Sequence, residues 1–371
     1  MRFNNIRRIK MTCFTARITV NHLRVGQRAS QPRALWRRVL GAGALLALSF
    51  SAQAFQAGMR QITVPGEDPI PVALFYPTQA PAKAVPMGLW APEVAPGAPA
   101  EARFKGLILL SHGTGGSELG HHNLATRLAA QGYLVAAPRH PHDDWQDRNL
   151  VNSGRYFGER AHQASRVIDA VLADPQWGPR VPEGRIGALG HSAGGYTVMA
   201  LAADQVQPAL AGQHCRQVSD DPMFCRLGNG ALASTPGAKP AAAVAEDATR
   251  VGDPRIRAVL AMAPVGVVFD AAALQQVRVP VRIYTAQFDQ VLNSRYHGDW
   301  LARQVPKAEA VSVPGAGHFA FMAKPSRSIP SDAGDPASDP AGFDREAFQQ
   351  GLAEDVVAFF DRSLDGRRAQ P

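Results

Sequence analysis

The stretch Gly190-His191-Ser192-Ala193-Gly194-Gly195 decides how the rest of the chain is interpreted. It contains the pattern G-x-S-x-G, preceded by an apolar run at Arg185–Leu189 and followed by a helix-like segment at Ala193–Ala203. A serine on a sharp turn from a strand into a helix is exposed for reaction, and glycines such as Gly190 and Gly194 relieve the crowding there. The sequence therefore predicts a nucleophile elbow with Ser192 as the nucleophile.

Strand-like and helix-like segments alternate around this elbow. Such alternation predicts a mostly parallel, doubly wound α/β sheet whose site lies at the carboxyl ends of the strands. The apolar runs agree, because parallel strands are buried on both faces. Strands are expected at Gly106–Leu110, Tyr133–Ala137, Arg185–Leu189, Ile256–Met262, Val281–Thr285 and Ala310–Val313, and helices at His122–Gln131, Glu159–Ala173, Ala193–Ala203, Ser294–Gln304 and Arg345–Leu364.

Three segments fall outside the alternation. Gly58–Val64 and Pro71–Tyr76 have the pattern of a hairpin with a turn between them. Pro77 to Arg103 is rich in Pro and Ala, which predicts a surface excursion. Gln205 to Arg250 has an irregular pattern with many Gly, Pro and Ala residues, and we expect it to form a small cap-like insertion over the site.

The partners of a serine nucleophile are expected after the strands that follow it. A serine hydroxyl needs a base to take its proton, and an acid orients that base. In elbow proteins the chain order is serine, acid, histidine. Asp289 follows Val281–Thr285 and His318 follows the last strand, so they are the predicted acid and base. Asp299 and Asp270 are the alternatives for the acid.

The oxyanion of a tetrahedral intermediate needs two N–H donors. One comes from the residue after the nucleophile, here Ala193, and the other from a loop after an earlier strand. That loop reads Ser111-His112-Gly113-Thr114-Gly115-Gly116, which makes Thr114 the second predicted donor. A phosphate-binding loop is the alternative for such a glycine-rich stretch, but the patterns G-K-[ST] and G-x-G-x-x-G are absent.

Histidines outside the predicted triad could also have a functional role. His140-Pro141-His142-Asp143-Asp144 follows a predicted strand and could line the pocket or hold a metal ion. A serine mechanism needs neither metal nor cofactor, so the sequence predicts none. His121-His122 is expected to begin a helix, and His191 to serve in packing rather than in catalysis.

Residues 1–54 differ in kind from the rest of the chain. They contain ten Lys and Arg and no Asp or Glu, and an apolar run from Val39 to Phe50 precedes Ala52-Gln53-Ala54. These are the parts of a secretory signal. The sequence predicts cleavage after Ala54 and a periplasmic or secreted domain over residues 55–371, with Arg37-Arg38 as a hint of twin-arginine export. A membrane-anchoring helix is the alternative, for which the apolar run is short.

The leader also carries the excess positive charge. The whole chain has a net charge of +8. Without residues 1–54 it contains 29 Lys and Arg and 31 Asp and Glu, which gives a net charge of −2. We therefore expect no nucleic-acid partner. Outside the leader the cysteines are Cys215 and Cys225, which can close a disulfide in an oxidising compartment. Two free thiols are the alternative, and a zinc site lacks matching ligands.

A resemblance to a known family is carried by six segments: Ser111–Ser117, Gln131–Pro138, Gly190–Gly195, Ala316–Phe321, Phe343–Phe348 and Val356–Phe360. They resemble the bacterial predicted dienelactone hydrolase group, which is related to platelet-activating factor acetylhydrolases and to secreted polyester hydrolases. The resemblance covers residues 58–364 and implies the α/β-hydrolase fold with a Ser-His-Asp triad. Its motifs are much less specific for the substrate.

Two departures from the group limit what the resemblance implies. True dienelactone hydrolases use a cysteine nucleophile, whereas this chain has Ser192, so the family's name does not give the activity. Ala323-Lys324-Pro325 lacks a cysteine that the group would suggest there, so no disulfide is expected at that place.

The resulting prediction is a serine hydrolase that cleaves carboxylic esters of small molecules or lipids through an acyl-enzyme. A short-chain ester, a phospholipid acyl group and a polyester all remain open as substrates, with small or medium esters favoured. An amidase or peptidase with the same triad is the first alternative, because a fold does not fix the bond that is cleaved. A non-catalytic binding protein is the second, and the complete set of triad and oxyanion residues argues against it.

Overall fold

The computed structural model describes residues 54–227 and 249–365 of the 371-residue chain. The predicted leader lies outside these ranges apart from Ala54, and so do residues 228–248 of the predicted insertion. The strands are β1 (Gln56–Val64), β2 (Ile70–Thr78), β3 (Lys83–Ala84), β4 (Glu93–Pro96), β5 (Leu107–Ser111), β6 (Leu134–Pro138), β7 (Ile186–His191), β8 (Gln205–Val206), β9 (Thr249–Arg250), β10 (Ile256–Met262), β11 (Val281–Ala286) and β12 (Glu309–Val313).

Ten of these strands form one sheet, in the order β12-β11-β10-β7-β5-β6-β2-β1-β4-β3. All neighbours from β12 to β6 run parallel. The strand β2 is antiparallel to both β6 and β1, and its pairing with β1 forms the predicted hairpin. The carboxyl ends of the six parallel strands therefore meet at one edge of the sheet, where a site is expected.

Helices cover both faces of this sheet. They are α1 (His122–Ala130), α2 (Tyr156–Ala173), α3 (Ala193–Ala203), α4 (Ala209–Gln217), α5 (Pro222–Arg226), α6 (Ala271–Gln275), α7 (Gly298–Gln304) and α8 (Arg345–Leu364). Short 3-10 helices lie at Asn149–Asn152, Gly178–Arg180, Ser294–Tyr296 and His318–Phe321.

The core is divided by the sheet into two apolar layers. Successive residues of a strand point to opposite faces, so Leu109 of β5 packs in the layer that includes Ile168 of α2 and Tyr196 of α3. Its neighbour Ile108 packs in the other layer with Phe360 of α8. Every residue of β5 and of β6 is buried, which explains why these strands are apolar without alternation.

The structure departs from the predicted elements in two places. The helix predicted over Ser294–Gln304 is a 3-10 turn and then α7, interrupted at His297, whose backbone (φ −116°, ψ −106°) is not helical. His297 is buried and hydrogen-bonded through both ring nitrogens, so tertiary contacts override the local pattern. The predicted surface excursion at 77–103 is also partly wrong, because β3 and β4 extend the sheet and Val94 is fully buried.

The predicted insertion is more regular than its composition suggests. It contains α4 and α5, and β8 pairs with β9 apart from the main sheet. Cys215 and Cys225 form a disulfide with Cα atoms 5.5 Å apart, which ties α4 to α5. No helix within residues 54–227 and 249–365 is long and apolar enough to cross a membrane.

Close packing around β7 gives a stability prediction. A Cβ atom at Gly187 would lie 2.6 Å from Phe360 Cε1 and 2.9 Å from Ile108 Cδ1, both in the buried core. We expect Gly187→Ala to lower the free energy of unfolding by about 1–3 kcal/mol through overpacking. The measurement is urea unfolding of the domain from residue 55 onward.

A matched control for this substitution lies in α8. A Cβ atom at Gly351 meets nothing within 4 Å, and the position is exposed. Gly351→Ala should leave stability unchanged or raise it by up to about 1 kcal/mol, because alanine favours helix. Equal effects of the two substitutions would contradict the packing argument.

Candidate active site

Ser192 lies on a sharp turn between β7 and α3. Its φ of 57° is in the left-handed region that non-glycine residues seldom adopt, and its ψ is −118°. Two hydrogen bonds hold this conformation: the Ser192 N–H donates to the carbonyl of Met262 (2.9 Å), and the Val265 N–H donates to the carbonyl of Ser192 (3.3 Å). Ser192 therefore has a strained backbone conformation, and neighbouring backbone fixes it.

Glycine is required on both sides of this serine because backbone segments approach closely. A Cβ atom at Gly190 would lie 2.1 Å from the carbonyl oxygen of Gly194. A Cβ atom at Gly194 would lie 1.9 Å from the carbonyl oxygen of Ser111, at the end of β5. The start of α3 is thus pressed against the loop that the sequence predicts to supply the second oxyanion donor.

A hydrogen bond joins His318 to Asp289. His318 follows β12, Asp289 follows β11, and the His318 Nδ1–H donates to Asp289 Oδ2 at 2.8 Å. Both side chains are buried. The other carboxylate oxygen, Oδ1, accepts the amide N–H groups of Val291 and Leu292 at 2.8 and 2.9 Å, so the acid is fixed by its own loop.

The two alternative acids are occupied elsewhere. Asp299 accepts a hydrogen bond from the Ser294 hydroxyl at 2.6 Å. Asp270 caps α6 by accepting the amide N–H of Ala273 at 2.8 Å. The structure therefore pairs His318 with Asp289 rather than with either of them.

His191 braces the histidine from inside the elbow. Its Nε2–H donates to the carbonyl oxygen of His318 at 2.9 Å. Burial lowers the pKa of His191 well below its usual value, which keeps the ring neutral. The predicted packing residue thus also fixes the backbone of the His318 loop.

One large cavity brings the candidate residues together. It has a volume of about 1410 Å³, and Ser192, His318, Thr114 and Ala193 all line it. In the described part of the chain, Ser192 and His318 form no hydrogen bond with each other. The remaining walls are mostly apolar and include Leu89, Trp90, Leu119, Met223, Leu227, Val265, Val291, Phe319 and Met322.

The two predicted oxyanion donors lie at the start of α3 and in the loop after β5. Ala193 is the first residue of α3, where amide N–H groups have no intrahelical acceptor. The Thr114 hydroxyl lies 2.5 Å from the Tyr156 hydroxyl, and the neighbouring Gly115 N–H donates to Asp143 Oδ1 at 3.0 Å. Side chains behind the loop therefore hold it in place while its backbone borders the cavity.

A solved structure with a similar fold is the ferulic acid esterase from Streptomyces cinnamoneus. It is 19% identical to this chain with a TM-score of 0.57, and the match covers 88% of this chain and 95% of that chain. This chain has the α/β-hydrolase fold. At this level of identity the similarity establishes the fold alone. No protein-family model and no curated protein sequence matches the chain.

The hypothesis that residues 140–144 hold a metal ion is contradicted at His140 and at Asp143. His140 uses both ring nitrogens on protein partners, Ser111 Oγ and Gln163 Oε1, each at 2.9 Å. Asp143 is fully buried in an ion pair with Arg160 and accepts the Tyr156 hydroxyl at 3.0 Å. The atoms of His140 and Asp143 that could bind a metal ion are therefore already occupied.

Arg160 is the centre of this buried network. Its guanidinium group pairs with Asp143, donates to the carbonyl oxygen of His112 and to Ser111 Oγ, and contacts Thr197 Oγ1 of α3 at 3.0 Å. Burial raises the pKa of Asp143, and the adjacent Arg160 opposes that rise. The network ties α2 and α3 to the loop after β5.

A second polar cluster, which the sequence analysis missed, fastens the insertion to the fold. His214 Nε2 and His297 Nε2 each lie 2.8 Å from Asp221 Oδ2. Asp221 Oδ1 accepts the amide N–H of Asn293 at 3.1 Å, in the loop after Asp289. Burial raises the pKa of Asp221, but the hydrogen bonds from the two histidines outweigh it and hold the pKa below its usual value.

The spacing of these three side chains would also suit a metal ion, but the tautomer of His297 does not. Its Nδ1 accepts the Gly266 N–H at 3.0 Å, so the ring proton is on Nε2, the atom that faces Asp221. A metal ligand would need the lone pair of Nε2 instead. The cluster is therefore a hydrogen-bonded clamp. His297 lies 76 residues from Asp221 in the chain, which is why no local motif reveals the cluster.

Buried histidines make the stability of the domain depend on pH. Burial lowers the pKa of His121 to about 3, and both ring nitrogens lack a partner among the described residues. In the unfolded chain a histidine titrates near pH 6.5. Between these two values the unfolded state binds the extra proton, so stability is complete above about pH 6.5 and falls as the pH decreases.

We expect His121→Met to weaken this pH dependence. A buried neutral histidine lowers the free energy of unfolding by about 1.4 kcal/mol for each pH unit below 6.5. Between pH 7.5 and 5 the variant should therefore lose about 2 kcal/mol less unfolding free energy than the wild type. Urea unfolding at the two pH values measures it. His162→Gln, at an exposed position of α2, is the control and should keep the wild-type dependence. The same loss in His121→Met as in the wild type would refute the assignment.

Proposed function

We propose that the protein is a serine hydrolase that cleaves carboxylic esters through an acyl-enzyme. The observation that carries the proposal is the buried hydrogen bond between His318 and Asp289, with His318 lining the same cavity as Ser192 at its strained turn. A nucleophile, a base and an orienting acid in this relation are the parts of a catalytic triad. A hydrogen bond from the Ser192 hydroxyl to His318 would form when substrate binds, because catalytic hydrogen bonds are often long or poorly aligned without substrate.

The proposed reaction has two halves. The Oγ atom of Ser192 attacks the ester carbonyl carbon while His318 Nε2 takes the hydroxyl proton, and His318 then returns that proton to the departing alcohol as the carbon–oxygen bond breaks. Water attacks the acyl-enzyme, giving its proton to His318, and the acid is released as Ser192 regains its own. Asp289 stabilises the charged imidazole in both halves.

The amide groups of Thr114 and Ala193 are the proposed donors to the oxyanion. Their place at the cavity supports this role, as does the buried network that holds the loop of Thr114. Each such donor is typically worth about 3 kcal/mol of the activation barrier. The wall formed by Met223, Phe224 and Leu227 of the insertion borders the same cavity, which supports the proposal that the insertion selects the ester.

Two further features fit this proposal. The disulfide between Cys215 and Cys225 fits an oxidising compartment, so we extend the proposal to a periplasmic or secreted enzyme whose leader is cleaved after Ala54. The resemblance of the motifs to the predicted dienelactone hydrolase group supports a hydrolase, with Ser192 in place of that family's cysteine.

The nucleophile is tested with para-nitrophenyl esters of acyl chains from two to sixteen carbons. Wild-type domain from residue 55 onward should hydrolyse part of this panel and react with a fluorophosphonate probe, and Ser192→Ala should do neither. Ser326→Ala, which changes another serine lining the cavity, is the control and should retain both. A folded wild type that turns over no ester and resists the probe would refute the proposal. Labelling without ester turnover would favour an amide substrate.

The acid is tested by Asp289→Asn. The substitution keeps the shape but removes the charge that orients and stabilises the imidazole, so kcat should fall on the order of 10⁴-fold. Asp299→Asn is the matched control and should stay close to wild type, because Asp299 bonds to Ser294 instead. Comparable losses in the two variants would contradict the pairing of His318 with Asp289.

A further inference from the structure

The charged residues of the cavity are unbalanced in sign. Four arginines and two acidic residues line it: Arg139, Arg148, Arg226, Arg327, Glu118 and Asp332. The cavity therefore has an excess of positive charge, although residues 55–371 as a whole carry a net charge of −2. Three histidines of the lining add no positive charge, because burial lowers the pKa values of His112, His121 and His191 far enough to keep them neutral.

Three of these arginines have no acidic partner within the described part of the chain. Arg139 lies 3.9 Å from Glu118. Arg148, Arg226 and Arg327 form no ion pair within residues 54–227 and 249–365. A cation at the wall of a partly apolar cavity, free of a protein counter-ion, is available to a ligand that brings the negative charge.

The backbone places Arg148 beside the glycine-rich loop after β5. Asp144 forms a β-bridge with Gly116, and the Trp145 N–H donates to the carbonyl oxygen of Gly116 at 3.1 Å. The Arg148 side chain then lies across Gly115, since a Cβ atom at Gly115 would be only 3.3 Å from Arg148 Cδ and Nε. The arginine is therefore packed against the loop that carries Thr114.

Resting on the esterase function proposed above, we infer that the cavity binds esters bearing a carboxylate or phosphate group on an apolar body, with Arg148 as the principal anion contact. Arg226 and Arg327 contribute to the same positive surface. The apolar body would rest on the aliphatic and aromatic walls, and Trp145, which is 63% exposed at the same cavity, extends them outward. Arginine suits this role because its planar fork binds carboxylate and phosphate oxygens in pairs.

The test compares two esters of equal chain length, para-nitrophenyl hexanoate and the para-nitrophenyl half-ester of adipic acid, which differ in one terminal carboxylate. The quantity measured is the ratio of kcat/KM for the charged ester to that for the neutral ester. Arg148→Gln should lower this ratio roughly two- to fivefold, the range expected for one solvent-accessible ion pair, and Arg148→Glu should lower it further. Added NaCl should lower the wild-type ratio as well, because salt screens the attraction.

One control separates a local contact from net charge. Arg103→Gln removes an exposed arginine outside the cavity. It should leave the ratio near its wild-type value. A ratio that is unchanged in Arg148→Gln and Arg148→Glu, or lowered equally by Arg103→Gln, would overturn the inference.

Binding separates this inference from the proposed hydrolysis. Calorimetry on Ser192→Ala measures the affinity for both esters without turnover, so anion recognition is tested even if the wild type cleaves neither ester. Hexanoate, hexyl phosphate and hexanol, compared as ligands of the same variant, identify the anion. The inference is supported if either anion binds more tightly than hexanol and if Arg148→Gln weakens that binding. The anion that binds more tightly then shows whether the cavity prefers carboxylate or phosphate. Equal affinity for all three compounds refutes it.

Discussion

The close approach of two backbone segments governs the geometry of the candidate site. At Gly194 the first turn of α3 touches the carbonyl oxygen of Ser111, leaving no room for a Cβ atom. The contact places the free amide of Ala193 and the loop of Thr114 on one cavity wall. Because Ser192 must adopt a φ of 57° to join β7 to α3 at this point, the same contact also sets the position of the candidate nucleophile.

A buried ion pair supports that contact from behind. Arg160 and Asp143 are both fully buried, and burial of charges costs several kcal/mol unless every donor and acceptor finds a partner. Here the partners are the structural parts of the site: the carbonyl oxygen of His112, the amide of Gly115 and the hydroxyl of Tyr156. Through these contacts the pair fixes the arrangement of the loop.

The sequence predicted the elements whose signals are local. The apolar runs of the parallel strands, the bounds of α3 and α8, and the placement of Asp289 and His318 after strands all follow from pattern and chain order. The clamp of His214, Asp221 and His297 could not be predicted, because its members meet only in the folded chain. The break at His297 has the same cause, since a buried hydrogen bond outweighs the helical pattern around it.

That clamp joins two parts of the cavity that differ in chemistry. The disulfide holds α4 and α5 together, and Asp221 at the start of α5 binds both His297 and the amide of Asn293. Asn293 lies in the same loop as Asp289, whose carboxylate holds His318. The wall formed by the insertion and the loop of the candidate acid are therefore one packed unit, so the shape of the cavity and the orientation of the candidate base cannot vary independently.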